Sequence, residues 1–279
     1  VETLGGELVS YRDERGLEYI WGGDPAYWPG RNPLLFPIVG MLKEGKIRFD
    51  GREYAMERHG FARRREFTPA ARGEDWVRLE LRESAETLAL YPYPFRLAVE
   101  QRLTDTGFST AVTVANPGEG PLPFCLGAHT GFRCPLEAGE RFEDYELVFP
   151  ERESCPTLLL RDGLLDRPAA LPCLEDTDTL PLDYRWFDAL DTLIFEGLRS
   201  RSVTLRSRKS GRGVRVSFDG FPMLAFWTMP GKKAPYLCIE PWHGCAAGTA
   251  EGPEFTDKAH CIVLAPGESR TLAYRADTL

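Results

Sequence analysis

No run of about 18 apolar residues occurs in this sequence, so no membrane-spanning helix is expected. The segment Val1 to Ser10 carries Glu2 and Glu7 and lacks a basic stretch leading into an apolar one. It is not expected to act as a secretory signal. Cations are in deficit. The formal net charge is −8, which argues against nucleic acid or an anionic membrane as the main partner. There is no Cys-x-x-Cys pair among seven cysteines, and several lie in apolar runs such as Leu237-Cys238-Ile239. They are expected to be buried, reduced thiols of a cytoplasmic protein, with no metal and no cofactor required. Gly-x-Gly-x-x-Gly, Gly-x4-Gly-Lys-Ser/Thr, Gly-x-Ser-x-Gly and His-Glu-x-x-His are all missing. Dinucleotide-binding, phosphoryl-transfer, serine-hydrolase and zincin readings therefore have no anchor.

Helical periodicity is scarce as well. With 27 Gly and 22 Pro the chain is punctuated throughout, and only Ser84–Leu90 suggests a turn or two of helix before Pro92 and Pro94 stop it. The prevailing pattern is alternation. Trp76–Leu81, Phe95–Glu100, Phe108–Val114, Val203–Arg206 and Val214–Phe218 each alternate apolar and polar residues, as half-buried strands do. Thr104–Gly107 and Lys209–Gly213 read as hairpin turns, and Pro266-Gly267-Glu268 suggests a third hairpin joining Ile262–Leu264 to Thr271–Tyr274. No composition break or internal repeat divides the chain. These strands predict an all-β fold, one large antiparallel sandwich over residues 1–279 with few short helices.

Three islands of polar chemistry stand out because only four histidines are present. His129 follows the apolar Pro123–Leu126, with Gly127 and Ala128 leaving room beside it for another group. It could give a proton, or it could be a structural histidine at a strand end. Glu240 closes the apolar run Tyr236–Ile239. A carboxylate there is expected to be partly desolvated, with a raised pKa suited to base chemistry, unless an arginine pairs with it. His59 precedes Gly60-Phe61-Ala62 and the triplet Arg63-Arg64-Arg65. The imidazole could hold a substrate hydroxyl with help from Arg63, and the triplet could form a phosphate pocket or a solvated face. Trp227 and Trp242 could offer faces to a sugar ring, or could simply pack the core.

Taken in order, these islands resemble the aldose 1-epimerase (galactose mutarotase) family, and in particular its shorter, LacX-like bacterial branch. The matching stretches are Leu35–Gly40, His59–Arg63, Gly127–His129, Asp191–Phe195, Ser200–Leu205 and Glu240–Gly244. The resemblance implies a β-supersandwich, His129 as general acid and Glu240 as general base. It also implies that His59 holds the sugar and that Asp191, with Asp188 as a near neighbour, binds its hydroxyls. Two departures accompany it. Met41 stands where the family pattern continues with a sugar-binding arginine, for which Arg31 or Arg63 are spatial candidates. Thr130 and Arg133 stand where a Pro and an Asn are common, and Arg133 would lower the pKa of His129 if close.

The implied reaction is interconversion of the α and β anomers of a free aldohexose. Alternatives are a hexose-phosphate mutarotase, motivated by Arg63–Arg65 and Arg133, and a non-catalytic carbohydrate-binding protein on the same scaffold, motivated by Met41. A glycosidase needs two carboxylates, and only Glu240, with Asp191 second, has a suitable setting. The expected partner is a small-molecule sugar, with a homodimer left open. The expected geometry has His129 and Glu240 facing each other across a pyranose-sized pocket.

Overall fold

The computed structural model describes residues 1–279 apart from the side chain of Pro168. An antiparallel sheet of 15 strands dominates the described residues, accompanied by two two-stranded sheets. The alternating segments form strands as their patterning requires. Trp76–Arg82, Arg96–Thr104 and Gly107–Ala115 lie side by side, and Ser202–Ser207 forms a hairpin with Gly213–Ser217. Ser84 caps the short helix Ala85–Leu88 by accepting the backbone N–H of Thr87.

The third expected hairpin does not form. Ile262–Leu264 pairs with Leu122–Phe124, whereas Ser269–Thr278 pairs with Gly107–Ala115 and Gly213–Ser217. The turn itself exists, with the Glu268 N–H donating to the Ala265 carbonyl. It hands the chain from one sheet to another, because longer partners are available to the last strand. Pro123–Leu126 is likewise split at Cys125, into Leu122–Phe124 and Leu126–Ala128.

The longest pairing joins Tyr145–Arg161 to Leu164–Pro181 as a bulged arm. Asp162 (φ 52°) and Gly163 (φ 77°) form its two-residue turn, the left-handed pair that a tight hairpin favours. The arm tip is tied down by the Leu165 N–H donating to the Ala247 carbonyl and by the Thr249 N–H donating to the Leu165 carbonyl.

Phe36, Phe61, Tyr91 and Phe95 are buried as one aromatic cluster, with ring centroids 5.3 to 6.3 Å apart. Complete burial of each such side chain is worth roughly 1.5–3 kcal/mol. The cluster anchors both the loop after Leu35 and the loop that carries His59. Between them, the Phe36 carbonyl accepts the N–H groups of Phe61 and Ala62. Gly60 (φ 71°) makes this possible, since a Cβ there would lie 2.2 Å from that same carbonyl oxygen. Gly60→Ala is therefore expected to cost at least about 2 kcal/mol, read as a lower denaturation midpoint with unchanged slope.

Candidate active site

The strand Tyr236–His243 runs between Met223–Trp227 on one side and two short strands, Leu126–Ala128 and Thr130–Arg133, on the other. Trp242 pairs with Gly127 and Ile239 with Thr130, so the same register holds on both sides of the gap between the short strands. That register sets His129 directly opposite Glu240. Nε2 of the imidazole lies 3.4 Å from Oε2 of the carboxylate. Glu240 is thus not at a strand end, as the sequence suggested, but inside a strand and 1% exposed. Pro241 comes next, opposite the end of the first short strand, where no ladder pair forms on that side and a residue without an N–H is tolerated.

Side chains two residues apart on a strand share a face. Trp242 and Cys238 accordingly flank Glu240, while Trp227, opposite Cys238, and Thr192, opposite Trp227, extend the face across two further strands. The room beside Gly127 belongs to Trp242, whose Cδ1 would be 2.9 Å from a Cβ at that position. The glycine admits an indole, not a ligand.

Loops close over this face to leave a cavity of about 230 Å³, a volume suited to one small ring more than to an extended ligand. His59, Arg63, His129, Asp191, Trp227, Trp242 and Glu240 all line it. These seven residues, each given a role from sequence, are therefore brought to one place. His129 and Glu240 do not face each other across the cavity, however. They stand side by side in its wall, because adjacent strands hold them.

Local backbone places the remaining groups. His59 adopts φ 66°, a conformation uncommon outside glycine. A reciprocal pair of bonds holds it there: its N–H donates to the Gly40 carbonyl (2.9 Å) and the Gly40 N–H donates to Nδ1 (3.1 Å). With Nδ1 accepting, the neutral ring carries its proton on Nε2 and is a donor. Asp191 terminates the helix Tyr184–Leu190 with φ 61° and accepts the Thr192 hydroxyl at 2.8 Å. Asp188 does not line the cavity; its carboxylate accepts the Gly231 N–H.

Among the lining groups to which sequence reading gave no role are Trp28 and Arg58. Trp28 lies over His129 with centroids 4.8 Å apart and planes 33° apart. Arg58 donates to Sδ of Met41 at 2.8 Å. Of the two candidates to replace the family arginine, Arg63 lines the cavity, but Arg31 does not. It bonds the Gly22 carbonyl and Glu2. Nor does the basic triplet act as one. Arg64 pairs with Glu57 and Arg65 with Glu86. Arg133 is exposed and is not among the charges acting on His129, while the Thr130 hydroxyl turns away to donate to Asn32.

Burial governs the electrostatics. It holds the His129 pKa down to about 3, aided by the positive charges of Arg63 and Arg58 and opposed by the backbone carbonyl of His129. It pushes Glu240 well above the usual carboxylate range. The Trp242 indole opposes that rise, and the Asp191 charge adds to it. Burial also lowers His59, followed by the charges of His129, Arg63 and Arg58. Four buried polar atoms at the cavity lack a well-formed hydrogen bond: Nε of Arg63, Nδ1 of His129, Oε2 of Glu240 and Nε1 of Trp242, whose indole is near enough to Glu240 to act on its charge without a good bond. Orphans of this kind are rare in folded proteins and cost about 1–3 kcal/mol each. The ligand atoms of His129, Cys238 and Glu240 lie within 4.8 Å of one another, close enough to share a cation. Burial, followed by the Glu240 charge, raises the Cys238 pKa and opposes the thiolate that a metal needs.

The broad antiparallel sheet is shared with galactose mutarotase-like proteins of solved structure. The chain belongs to the aldose 1-epimerase family, which it matches over residues 1–276. It is 41% identical to Protein LacX of Lactococcus lactis subsp. lactis over 281 residues, covering 98% of this chain and 93% of that one. Among solved structures, a galactose mutarotase related enzyme from Lactobacillus acidophilus superposes with a TM-score of 0.95 at 28% identity, covering 100% of this chain and 93% of that one. A galactose mutarotase-like protein from Lactobacillus casei ATCC 334 gives 0.93 at 28% identity, covering 100% and 96%. Family and fold together support an enzyme of the epimerase class with a mutarotase-like function. No helix among the described residues is long and apolar enough to cross a membrane.

Proposed function

We propose that the protein is an aldose 1-epimerase in which Glu240 and His129 open and reclose a pyranose. The carrying observation is the 3.4 Å contact between a buried carboxylate and a buried imidazole at the wall of a ring-sized cavity. Both oxygens that must exchange protons, the anomeric hydroxyl and the ring oxygen, are bonded to one carbon. The groups serving them therefore need to stand next to each other, not on opposite sides of the sugar.

In the reacting form the carboxylate of Glu240 takes the proton of the anomeric hydroxyl while the imidazolium of His129 gives one to the ring oxygen. The bond from the anomeric carbon to the ring oxygen breaks, and a carbonyl forms at that carbon. Rotation about the adjoining carbon–carbon bond presents the other carbonyl face. The ring oxygen then attacks, its proton returns to His129, and the new alkoxide recovers the proton from Glu240. Burial favours the neutral acid and neutral imidazole in the empty site. That form and the reacting ion pair hold the same single proton, so its passage within the couple connects them at any pH where the couple is singly protonated.

In this reading the Nε2–H of His59 donates to a sugar hydroxyl and Asp191 accepts from one. Trp227 and Trp242 offer apolar faces, and Arg63 adds donors. Polarimetry of freshly dissolved α-glucose or α-galactose tests the assignment. Catalytic amounts of the protein should speed the drift of rotation, and no acceleration with any aldose would refute it. His59→Ala is expected to raise KM about tenfold with a smaller change in kcat, because it removes a hydroxyl contact made throughout the reaction.

A further inference from the structure

The mouth of the cavity carries more positive charge than an uncharged sugar requires. Arg58 and Arg63 both line it, and both disfavour protonation of His59 and His129, so their charge reaches the interior. Among the described residues neither is ion-paired, whereas the neighbouring Arg64 and Arg65 are tied to Glu57 and Glu86. Arg63 spends one Nη2 bond on the Arg58 carbonyl at 2.8 Å and leaves its buried Nε without a partner. Arg58 rests on the Met41 thioether, a weak acceptor that leaves most of its five donors free. The seat is built. Gly163 at the arm tip passes so close that a Cβ there would lie 2.4 Å from the Met41 sulfur and 3.3 Å from an Arg58 nitrogen. Of the carboxylates lining the cavity, Glu240 is driven toward its neutral form, leaving Asp191 alone against two guanidiniums.

We infer that Arg58 and Arg63 form an anion subsite at the cavity mouth, and that the preferred aldose carries a phosphate ester or a carboxylate away from its anomeric carbon. This rests on the mutarotase reading for the orientation of the sugar, with the anomeric end at Glu240. Guanidinium forks match both anions in geometry, and such charge-assisted bonds are about twice as strong as neutral ones.

Calorimetry with sugars that cannot open separates the subsite from the catalysis. The ligands are 1,5-anhydroglucitol, its 6-phosphate, and the corresponding 1,5-anhydro sugar acid. At least one anionic ligand should bind about tenfold or more tightly than the neutral one, with the advantage shrinking as salt rises. The phosphate and acid arms identify which anion the subsite takes. Arg58→Ala and Arg63→Ala should each erode the advantage about tenfold, while Arg64→Ala, whose guanidinium is engaged by Glu57, should leave it intact. Equal affinities for all three ligands, or an anionic advantage untouched in Arg58→Ala and Arg63→Ala, would overturn the inference. Tight, arginine-dependent binding with no acceleration of anomer exchange in the matching reducing sugar would keep the subsite and refute the catalytic reading.

Discussion

Glu240→Gln is expected to slow catalysed anomer exchange by about 10²–10⁴-fold while making the protein more resistant to heat at neutral and alkaline pH. The two effects share a cause. Glutamine fills the same space opposite Ala225 and can still hydrogen-bond, but it cannot accept the anomeric proton. The native carboxyl is buried, and burial raises its pKa above the unfolded value. A group raised in this way contributes stability below its unfolded pKa and loses it as pH rises through the folded one. Glutamine carries no charge to desolvate, so the variant escapes that loss. The gap in Tm between variant and wild type should therefore widen from acid toward neutral pH. Polarimetry and thermal unfolding at several pH values check both parts. An unchanged exchange rate would remove Glu240 from the role of base, and an unchanged Tm gap would mean that the carboxyl is solvated.

The candidate site was legible in sequence as residue types, and not as geometry, because register is not a local property. A continuous apolar run marks Tyr236–Ile239 as a strand, but only pairing with Leu126–Ala128 and Thr130–Arg133 sets Glu240 against His129. Proline after Glu240 looks like a strand end when neighbours are ignored. It is tolerated because no ladder pair forms at Pro241 on the side of the short strands. The expected hairpin around Pro266–Glu268 failed for the same reason, since a turn signal fixes a reversal and leaves the partner open. The long arm carried a recognisable Asp162-Gly163 turn, but its bulges blurred the alternation that would have revealed its strands. Trp28 and Arg58 reach the cavity from loops, where no periodicity points to a destination. Arg58 stands directly before His59 in sequence, and only the fold shows that its guanidinium returns to cover Met41. The basic triplet misled in the opposite direction: adjacency in sequence grouped three arginines whose side chains the fold sends to different partners.

His129→Asn is expected to lower exchange by a similar factor of about 10²–10⁴ and, where residual activity is measurable, to change the shape of its pH dependence. The wild-type couple works with one proton. Acid adds a second when the imidazole titrates, and burial together with Arg63 and Arg58 holds that event down to about 3. Activity should therefore persist through the range where an ordinary histidine, near 6.5, would have charged. Alkali removes the single proton at the pKa of Glu240, which burial places above the usual carboxylate range. The profile should thus be a bell whose acid limb belongs to His129 and whose alkaline limb belongs to Glu240, with the apparent values owned by the couple. Asparagine cannot titrate and needs no proton from the couple, so the bell should be lost: residual activity should rise with pH as Glu240 ionises, above the usual carboxylate range, and should not fall again in alkali. Rate profiles of both proteins over the range in which they stay folded decide this. A wild-type acid limb near the ordinary histidine value would show that water reaches the couple, and with it that the imidazole is not held neutral by the strands around it.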